Sequence, residues 1–263
     1  MGNAGELVRK TLGGAAGLLF PRHCPGCDAK VEGEAGPSGM RLCRACLADL
    51  IPISDPFCEV CGEPFEGAIS SRFRCGNCAY RKFHFDFAIA GYRSLGQARE
   101  LVHAFKYSKR IALRRQLGEM LLRGFEDRRV DLSGDGGLLV PVPLHPRRKR
   151  ERGFNQAEEL ARVASGALHL PVVDALVRLR YTETQVHMQR SQRLHNMRGA
   201  VGLRRIVRGQ GKLAGATVYL VDDVLTTGAT AQECARVLKK HGGAARVIVV
   251  TVCRAAGFTK PAL

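Results

Sequence analysis

What this sequence lacks excludes several function classes at once. No apolar run approaches the about 20 residues that a membrane-spanning helix requires. The first twenty residues pair Arg9 and Lys10 with a glycine-rich apolar stretch, Leu12 to Phe20, that stops at Pro21 and runs straight into cysteines. A short helix docking on the body is the preferred reading, with a cleaved signal peptide as the alternative, and a cytoplasmic location is expected. A GxxxxGK[ST] loop is missing: Gly211 and Lys212 are followed by Leu213 and have no upstream glycine in register. That removes a Walker-type nucleotide site, and the absence of GxGxxG removes a dinucleotide fingerprint. Aromatics make up 6% of the chain, and only Phe154 and Tyr181 interleave with its basic runs, few for stacking on single strands. Acid is scarce on one side only. Residues 1–90 carry 10 basic and 10 acidic residues, so the remaining 31 basic and 14 acidic ones place the whole net charge of +17 after residue 90. Such a field attracts polyanions, whether a pyrophosphorylated substrate or nucleic acid; bland solubility charge would not need to be so one-sided.

What is present divides the chain in two. Its 263 residues suffice for one α/β core and a small satellite, and a 45% apolar fraction argues against wholesale disorder. Eight of ten cysteines lie between Cys24 and Cys78, in a piece rich in Gly, Pro and turns; the last 185 residues hold two. The expected domains are therefore 1–82, an N-terminal helix and CxxC module, and 83–263, where β-like runs alternate with helical patterns as in a sheet covered by helices. No internal repeat is visible in the second part. Strands are expected at Phe85–Tyr92, Leu138–Leu144, Val172–Val177, Val218–Val221 and Arg246–Cys253. Helices are expected at Gln97–Lys106, about Ile111–Phe125, after the Asn155 cap, and at Ala231–His241. The prolines of Leu138–Leu144 put that strand near a sheet edge or a strand end.

The most specific pattern is VYLVDDVLTTGAT, Val218 to Thr230. Four apolar residues make a buried parallel-type strand. Two acids, Asp222 and Asp223, follow at its carboxyl end, where open α/β sheets bind ligands. Thr226, Thr227, Gly228, Ala229 and Thr230 then offer small side chains, hydroxyls and successive backbone N–H groups at a helix N-terminus, an anion nest. An acid pair alone would repel a phosphate. A sugar phosphate satisfies both halves, its ribose hydroxyls donating to the acids while its 5′-phosphate sits in the nest.

Two basic stretches flank this motif. His145–Arg152 follows a strand and is expected to form a loop on the same crevice; its arginines suit bidentate phosphate recognition, with a solvated or nucleic-acid-binding face as the alternative. Thr182–Met197 is too polar for core and too long for a tight turn, as lids and binding loops are. His187 and His195 within it are given no role.

The cysteines fall into Cys24-x2-Cys27-x15-Cys43-x2-Cys46 and Cys58-x2-Cys61-x13-Cys75-x2-Cys78. Each CxxC grips one edge of a tetrahedral Zn²⁺, and two close a Cys₄ site with no open position, hence structural zinc. Disulfides and redox CxxC pairs are the rivals, opposed by a reducing cytosol and by four pairs in a row. Sequential pairing is favoured over a cross-brace by the short loops. Cys234 and Cys253 read as plain core thiols.

The Val218–Thr230 segment resembles the phosphoribosyl pyrophosphate (PRPP) motif of type I phosphoribosyltransferases. The cysteine knuckles, VPLHPRRKRERGFNQ (Val142–Gln156) and the TxxQxxxxRxxRxxNxxGA pattern (Thr182–Ala200) narrow the resemblance to the ComF family of competence proteins, over about Phe20 to Arg254. It implies the type I fold, with Arg147, Arg148 and Arg152 on a pyrophosphate loop. It further implies Gln185, Arg190, Arg193 and Asn196 on a flexible loop that closes over the site, and Asp222 and Asp223 as the catalytic acids. The implied chemistry is Mg²⁺-dependent displacement of pyrophosphate from ribose C1. Implied partners are PRPP, single-stranded DNA and other DNA-uptake proteins. No acceptor pocket is recognisable, so three readings stand: a phosphoribosyltransferase, a non-catalytic nucleic-acid-binding accessory protein with a sensor or vestigial site, or a zinc-stabilised scaffold for other proteins.

Overall fold

The computed structural model describes residues 23–31, 40–67, 69, 72–133, 137–181, 197–208 and 211–255. A short helix α1 (Arg44–Ala48) lies within the first cysteine cluster. The body then runs β1 (Phe87–Arg93), α2 (Gly96–Tyr107), α3 (Arg114–Leu122), β2 (Leu138–Pro141), α4 (Pro146–Arg152), α5 (Gln156–Leu168), β3 (Leu176–Arg178), β4 (Val201–Leu203), α6 (Arg205–Arg208), β5 (Thr217–Leu225), α7 (Ala229–Gly242) and β6 (Arg246–Arg254). Among the described residues, no helix is long and apolar enough to cross a membrane.

Four strands form an all-parallel sheet in the order β1-β6-β5-β2, and β3 and β4 pair antiparallel beside it. The central strands are continuous apolar runs because both faces are covered. Successive side chains alternate between two cores. Tyr219, Val221, Ile248 and Val250 meet α2, α3 and α5 on one face; Val218, Leu220, Val247 and Val249 meet α7 and the β3–β4 pair on the other. Gly118 lets α3 close on α5, since a Cβ there would stand 2.3 Å from a Val163 methyl.

The cysteine clusters share these cores. Cys24, Leu42, Cys46 and Leu50 pack with the α2–α3–α5 core, whereas Cys58, Cys61 and Cys78 pack with the α7 core. The segment around the clusters also covers the outer edge of β1, through Ala88 N–H to Val60 C=O (2.8 Å), Ile53 N–H to Gly91 C=O (3.0 Å) and Arg93 N–H to Ile51 C=O (2.8 Å).

Several sequence expectations need correcting. His145–Arg152 is a helix from Pro146, not a loop. Pro146 stands at its first turn, the His145 ring accepts the Arg147 N–H at 3.3 Å, and Gly153 closes it in the left-handed region at φ 85°. Leu138–Leu144 stops as a strand at Pro141, and Val172–Val177 supplies one bridge at Val172 before β3. The Ile111–Phe125 helix is α-helical only over Arg114–Leu122, with 3₁₀ turns at Ile111–Leu113 and Arg123–Glu126. The strand expected to end at Val221 continues to Leu225, so both acids lie inside it.

Candidate phosphate site and cysteine clusters

The crevice opens where a strand stops. β5 pairs with β6 along its full length, Thr217 to Leu225, but its pairing with β2 ends at Pro141, opposite Val221. Pro141 and Pro143 carry no N–H, so the ladder closes with Val142 N–H to Val221 C=O at 2.9 Å. Asp222 to Leu225 therefore extend past β2 with no paired strand on that side among the described residues, and the two acids sit at the start of this stretch.

Alternation sends the acids to opposite faces. Asp223 is buried and its carboxylate meets Lys106 Nζ, from the last turn of α2, at 2.9 Å. Burial alone would lower the Lys106 pKa, but the charges of Asp223 and Asp222 outweigh it and raise it. Asp222 turns toward the α7 side, where Arg178 of β3 lies close enough to stabilise its charge. Burial first, and then the Asp223 charge, push the Asp222 carboxyl up to about 7, against the pull of Lys106 and Arg178. Asp222 also accepts the Asp223 backbone N–H at 2.9 Å.

Next along the chain is the candidate nest. Gly228 takes φ 76°, the left-handed geometry that glycine adopts without strain, and α7 begins at Ala229. Thr226 is exposed, Thr227 and Thr230 are half-buried, and Ala229 is buried. The first N–H groups of α7 lack intrahelical acceptors and form its positive end; that of Ala229 reaches Thr227 Oγ1 at 3.4 Å.

Of the four arginines of α4, the three expected on a pyrophosphate loop are not equivalent. Arg152 is half-buried, bonds Gln156 Oε1 at 3.0 Å, stacks over Tyr107, and its charge is felt by Lys106. Arg148 lies over Tyr181, and its charge acts on Arg178. Arg147 is exposed, paired with Glu151 at 3.2 Å and stacked on Tyr181. A cleft of about 580 Å³ beside α4 is lined by Lys149, Arg150, Asn155, Asp174, Arg178 and Arg204. Gln185, Arg190, Arg193 and Asn196 lie outside the described residues, as does the stretch Leu12–Phe20 that was expected to form a helix.

Lys106 and Arg178 were not singled out from the sequence. Lys106 follows Val102 by four residues on an amphipathic helix, and a lysine that near an apolar face is a weak signal of a buried partner. Arg178 sits in a strand too short to stand out by alternation.

The eight cysteines gather as sequential sets, Cys24–Cys27–Cys43–Cys46 and Cys58–Cys61–Cys75–Cys78, with all four sulfurs of each set within 4.8 Å of one another. The Cys27–Cys43 and Cys61–Cys75 sulfurs are 3.6 Å apart. Tetrahedral zinc with Zn–S bonds of about 2.3 Å requires S···S edges of about 3.8 Å, so both sets fit the ion. Backbone N–H groups point at the sulfurs, from Cys43 to Cys24 and from Cys75 to Cys58, both at 3.3 Å. Hydrogen bonds from Cys61, Cys75 and Cys78 hold Cys58 far below the usual thiol range. Cys234 and Cys253 are buried in the body, and burial pushes Cys253 up to about 12.

Comparison with known proteins agrees with both halves. Residues 15–79 match the double zinc ribbon domain and residues 150–262 the phosphoribosyl transferase domain. Competence protein F of Haemophilus influenzae is 29% identical over 76% of this chain and 85% of its own. DNA utilization protein YhgH of Escherichia coli K12 is 32% identical over 75% of this chain and 83% of its own. The chain belongs to the ComF family. Competence protein ComFC of Bacillus subtilis, 26% identical over 81% of this chain and 84% of its own, is a further relative. Among solved structures, an allosteric regulatory enzyme of purine biosynthesis overlaps 57% of this chain and 29% of its own, at 19% identity and a TM-score of 0.37; the chain spans under a third of that enzyme. Family membership gives the architecture its name, a phosphoribosyltransferase-type parallel sheet carrying a double zinc ribbon, with two Cys₄ sites for structural zinc.

Proposed function

We propose that the chain binds PRPP with Mg²⁺ in the crevice beyond the end of β2, and transfers its phosphoribosyl group to a nitrogen nucleophile in the service of DNA use or uptake. The observation that carries this reading is the Asp222–Asp223 pair, set beside Lys106 and Arg178 where β5 loses its neighbour and one turn before a glycine-started helix. A ligand presenting hydroxyls to carboxylates and phosphate to N–H groups suits that arrangement. Thr226, Thr227, Gly228, Ala229 and Thr230 would hold the 5′-phosphate, Asp222 and Asp223 the ribose, and Arg147, Arg148 and Arg152 the pyrophosphate, while Gln185, Arg190, Arg193 and Asn196 would belong to a closing loop. In the transfer the C1–O bond to pyrophosphate breaks, pyrophosphate leaves with the electron pair, and the nucleophile's nitrogen bonds C1 and gives up its proton. Mg²⁺ borne mainly on the substrate phosphates would neutralise leaving-group charge. The cations of α2, β3 and α4 add to that stabilisation without reorganising.

Calorimetric titration of the zinc-loaded protein with Mg²⁺·PRPP tests the reading. Micromolar binding is expected, with loss in the Asp222→Asn/Asp223→Asn double variant while the fold is retained; equal affinity in that variant would overturn the cradle. A second reading, a non-catalytic single-stranded-DNA-binding accessory protein, is favoured by a cleft of about 460 Å³ at the second ribbon. Arg72, Arg74, Arg128 and Arg129 line it with Phe57 and Phe73, alongside the acids Asp55, Glu59 and Asp86; Arg74 and Arg129 are paired with Glu59 and Asp127, which leaves Arg72 and Arg128 as the cations best placed for backbone phosphates beside stacked bases. The names of the relatives, a competence protein and a DNA utilization protein, fit either reading.

A further inference from the structure

Arg254, the last residue of β6, is the point where the second ribbon and the phosphate loop meet. It is 3% exposed. Its Nε donates to Cys61 C=O at 3.0 Å, and Nη2 reaches Cys61 Sγ at 3.5 Å and Glu63 Oε2 at 3.2 Å. Its Nη1 donates to Leu225 C=O at 3.1 Å and Thr226 C=O at 3.0 Å, and also meets Ala255 C=O. A single buried guanidinium thus ties a metal-ligating cysteine to the two carbonyls that open the candidate nest.

The direction of those carbonyls matters. In a planar trans peptide the C=O of one residue and the N–H of the next point opposite ways. With the Leu225 and Thr226 carbonyls drawn down to Arg254, the Thr226 and Thr227 N–H groups are turned up, away from the sheet end. A guanidinium offers five N–H donors in a fixed planar fork, whereas a lysine ammonium offers three on a mobile stem. Arg254 is itself fixed from the ribbon side. Glu63 balances its charge, and Cys61 offers both its carbonyl and a sulfur that carries negative charge when bound to zinc. Cys58, Cys61 and Cys78 belong to the same packed core as Leu225 and Ala229, so the ribbon is not a separately mobile appendage.

We propose that Arg254 is a positioning residue through which zinc in the second ribbon orders the phosphate-binding loop, so that the Cys58–Cys61–Cys75–Cys78 site is a working part of the sugar-phosphate site as well as a staple for the N-terminal module. This rests on the assignment of Thr226–Thr230 as the phosphate nest. Coupling of this kind is reciprocal. Zinc lost from the second site loosens the loop, and a phosphate seated on the loop is sensed at the Cys61 sulfur.

The test uses the full-length protein with ribose 5-phosphate as the probe. Variants are Arg254→Lys, Glu63→Gln and Cys75→Ser, with Glu66→Gln as a control that breaks only the exposed ion pair with Arg93. Amide exchange of residues 225–230 is expected to speed at least tenfold in the three variants relative to the control, without comparable change in β5 upstream of Asp222. Ribose 5-phosphate affinity is expected to fall at least tenfold. In the cobalt-substituted protein, ribose 5-phosphate is expected to shift the sulfur-to-cobalt absorption of the wild type and not that of Arg254→Lys, a response that a merely structural arginine would not produce. Loop exchange within twofold of the control in folded Arg254→Lys or Glu63→Gln would overturn the proposal; should the first not fold, the second, which keeps the guanidinium, decides. Failure of the nest assignment looks different: wild type would not bind ribose 5-phosphate, while the exchange measurement would still report whether Arg254 orders the loop.

Discussion

Asp222 and Asp223 are adjacent in the chain but answer to different neighbours, and their chemistry diverges accordingly. Asp223 is matched by Lys106 at 2.9 Å. Removing the ammonium while keeping the acid leaves a buried charge uncompensated, a loss of about 3–5 kcal/mol in a fully buried pair. Lys106 keeps 22% side-chain exposure, so Lys106→Met is expected to cost somewhat less, about 2–3 kcal/mol by denaturant unfolding, and a Lys106→Met/Asp223→Asn double variant to recover most of it. Asp222 behaves otherwise. Its pKa is raised to about 7 in the folded chain against about 4 when unfolded, so between those values the folded state holds a proton that the unfolded state has released. Stability must then fall as pH rises from about 4 to about 7, by at most about 1.4 kcal/mol per unit, and level off above. Asp222→Asn is expected to flatten that slope in unfolding experiments across this range. If ribose hydroxyls donate to the ionised acid, ribose 5-phosphate affinity should rise through the same window in the wild type more than in Asp222→Asn.

At the scale of elements, the geometry of the site comes from terminations. β2 ends on prolines and β5 extends past it, α4 begins on Pro146 and ends on Gly153, and α7 begins behind Gly228. Helix contacts behind the sheet are close enough to be tested by one methyl group. Gly118→Ala places a Cβ 2.3 Å from Val163 and is expected to destabilise by about 1–3 kcal/mol, with Gly118→Ala/Val163→Ala recovering part of the loss; a neutral single variant would mean that α3 and α5 are looser than described. These terminations also decide how far the sequence could be read. Strands were visible at Phe85–Tyr92, Val218–Val221 and Arg246–Cys253 because their residues are mostly apolar, whereas Asp222 and Asp223 hid the rest of β5; α2, α5 and α7 were visible because their apolar residues recur at helical spacing. α4 was read as a loop because a helix without an apolar stripe has no periodicity to detect; its signal lay wholly in the Pro146 and Gly153 ends. The phosphate motif was readable because its residues are contiguous. Lys106, Arg178 and Arg254 were not, since the site residues that each meets lie 28 or more positions away in sequence, where spacing conveys nothing.

On the scale of the whole molecule, the two ribbons and the sheet share their cores, which alters what metal removal should do. A zinc module that folded by itself would unfold alone on chelation, over about the first 80 residues. With Cys24 and Cys46 in the core of α2, α3 and α5, and Cys58, Cys61 and Cys78 in that of α7, the effect should not stop there. Chelation at neutral pH is expected to lower the midpoint for unfolding of the sheet itself, in one transition rather than two, since metal binding free energy is folding free energy. A sheet transition unmoved by zinc removal would show two independent units. The net charge of +17, all of it arising after residue 90, bears on partners in the same global way. Nucleic-acid binding driven by such a field releases counterions, so affinity for single-stranded DNA should fall as a power of salt concentration with a slope near −0.7 per phosphate neutralised. Measured between 50 and 200 mM salt, a steep slope that lessens when Arg72 and Arg128 are both replaced by Ala would place the strand in the cleft of the second ribbon. A steep slope unchanged by those replacements but lessened by Arg147→Ala would place it along α4, over the phosphate site, where DNA and PRPP would then compete.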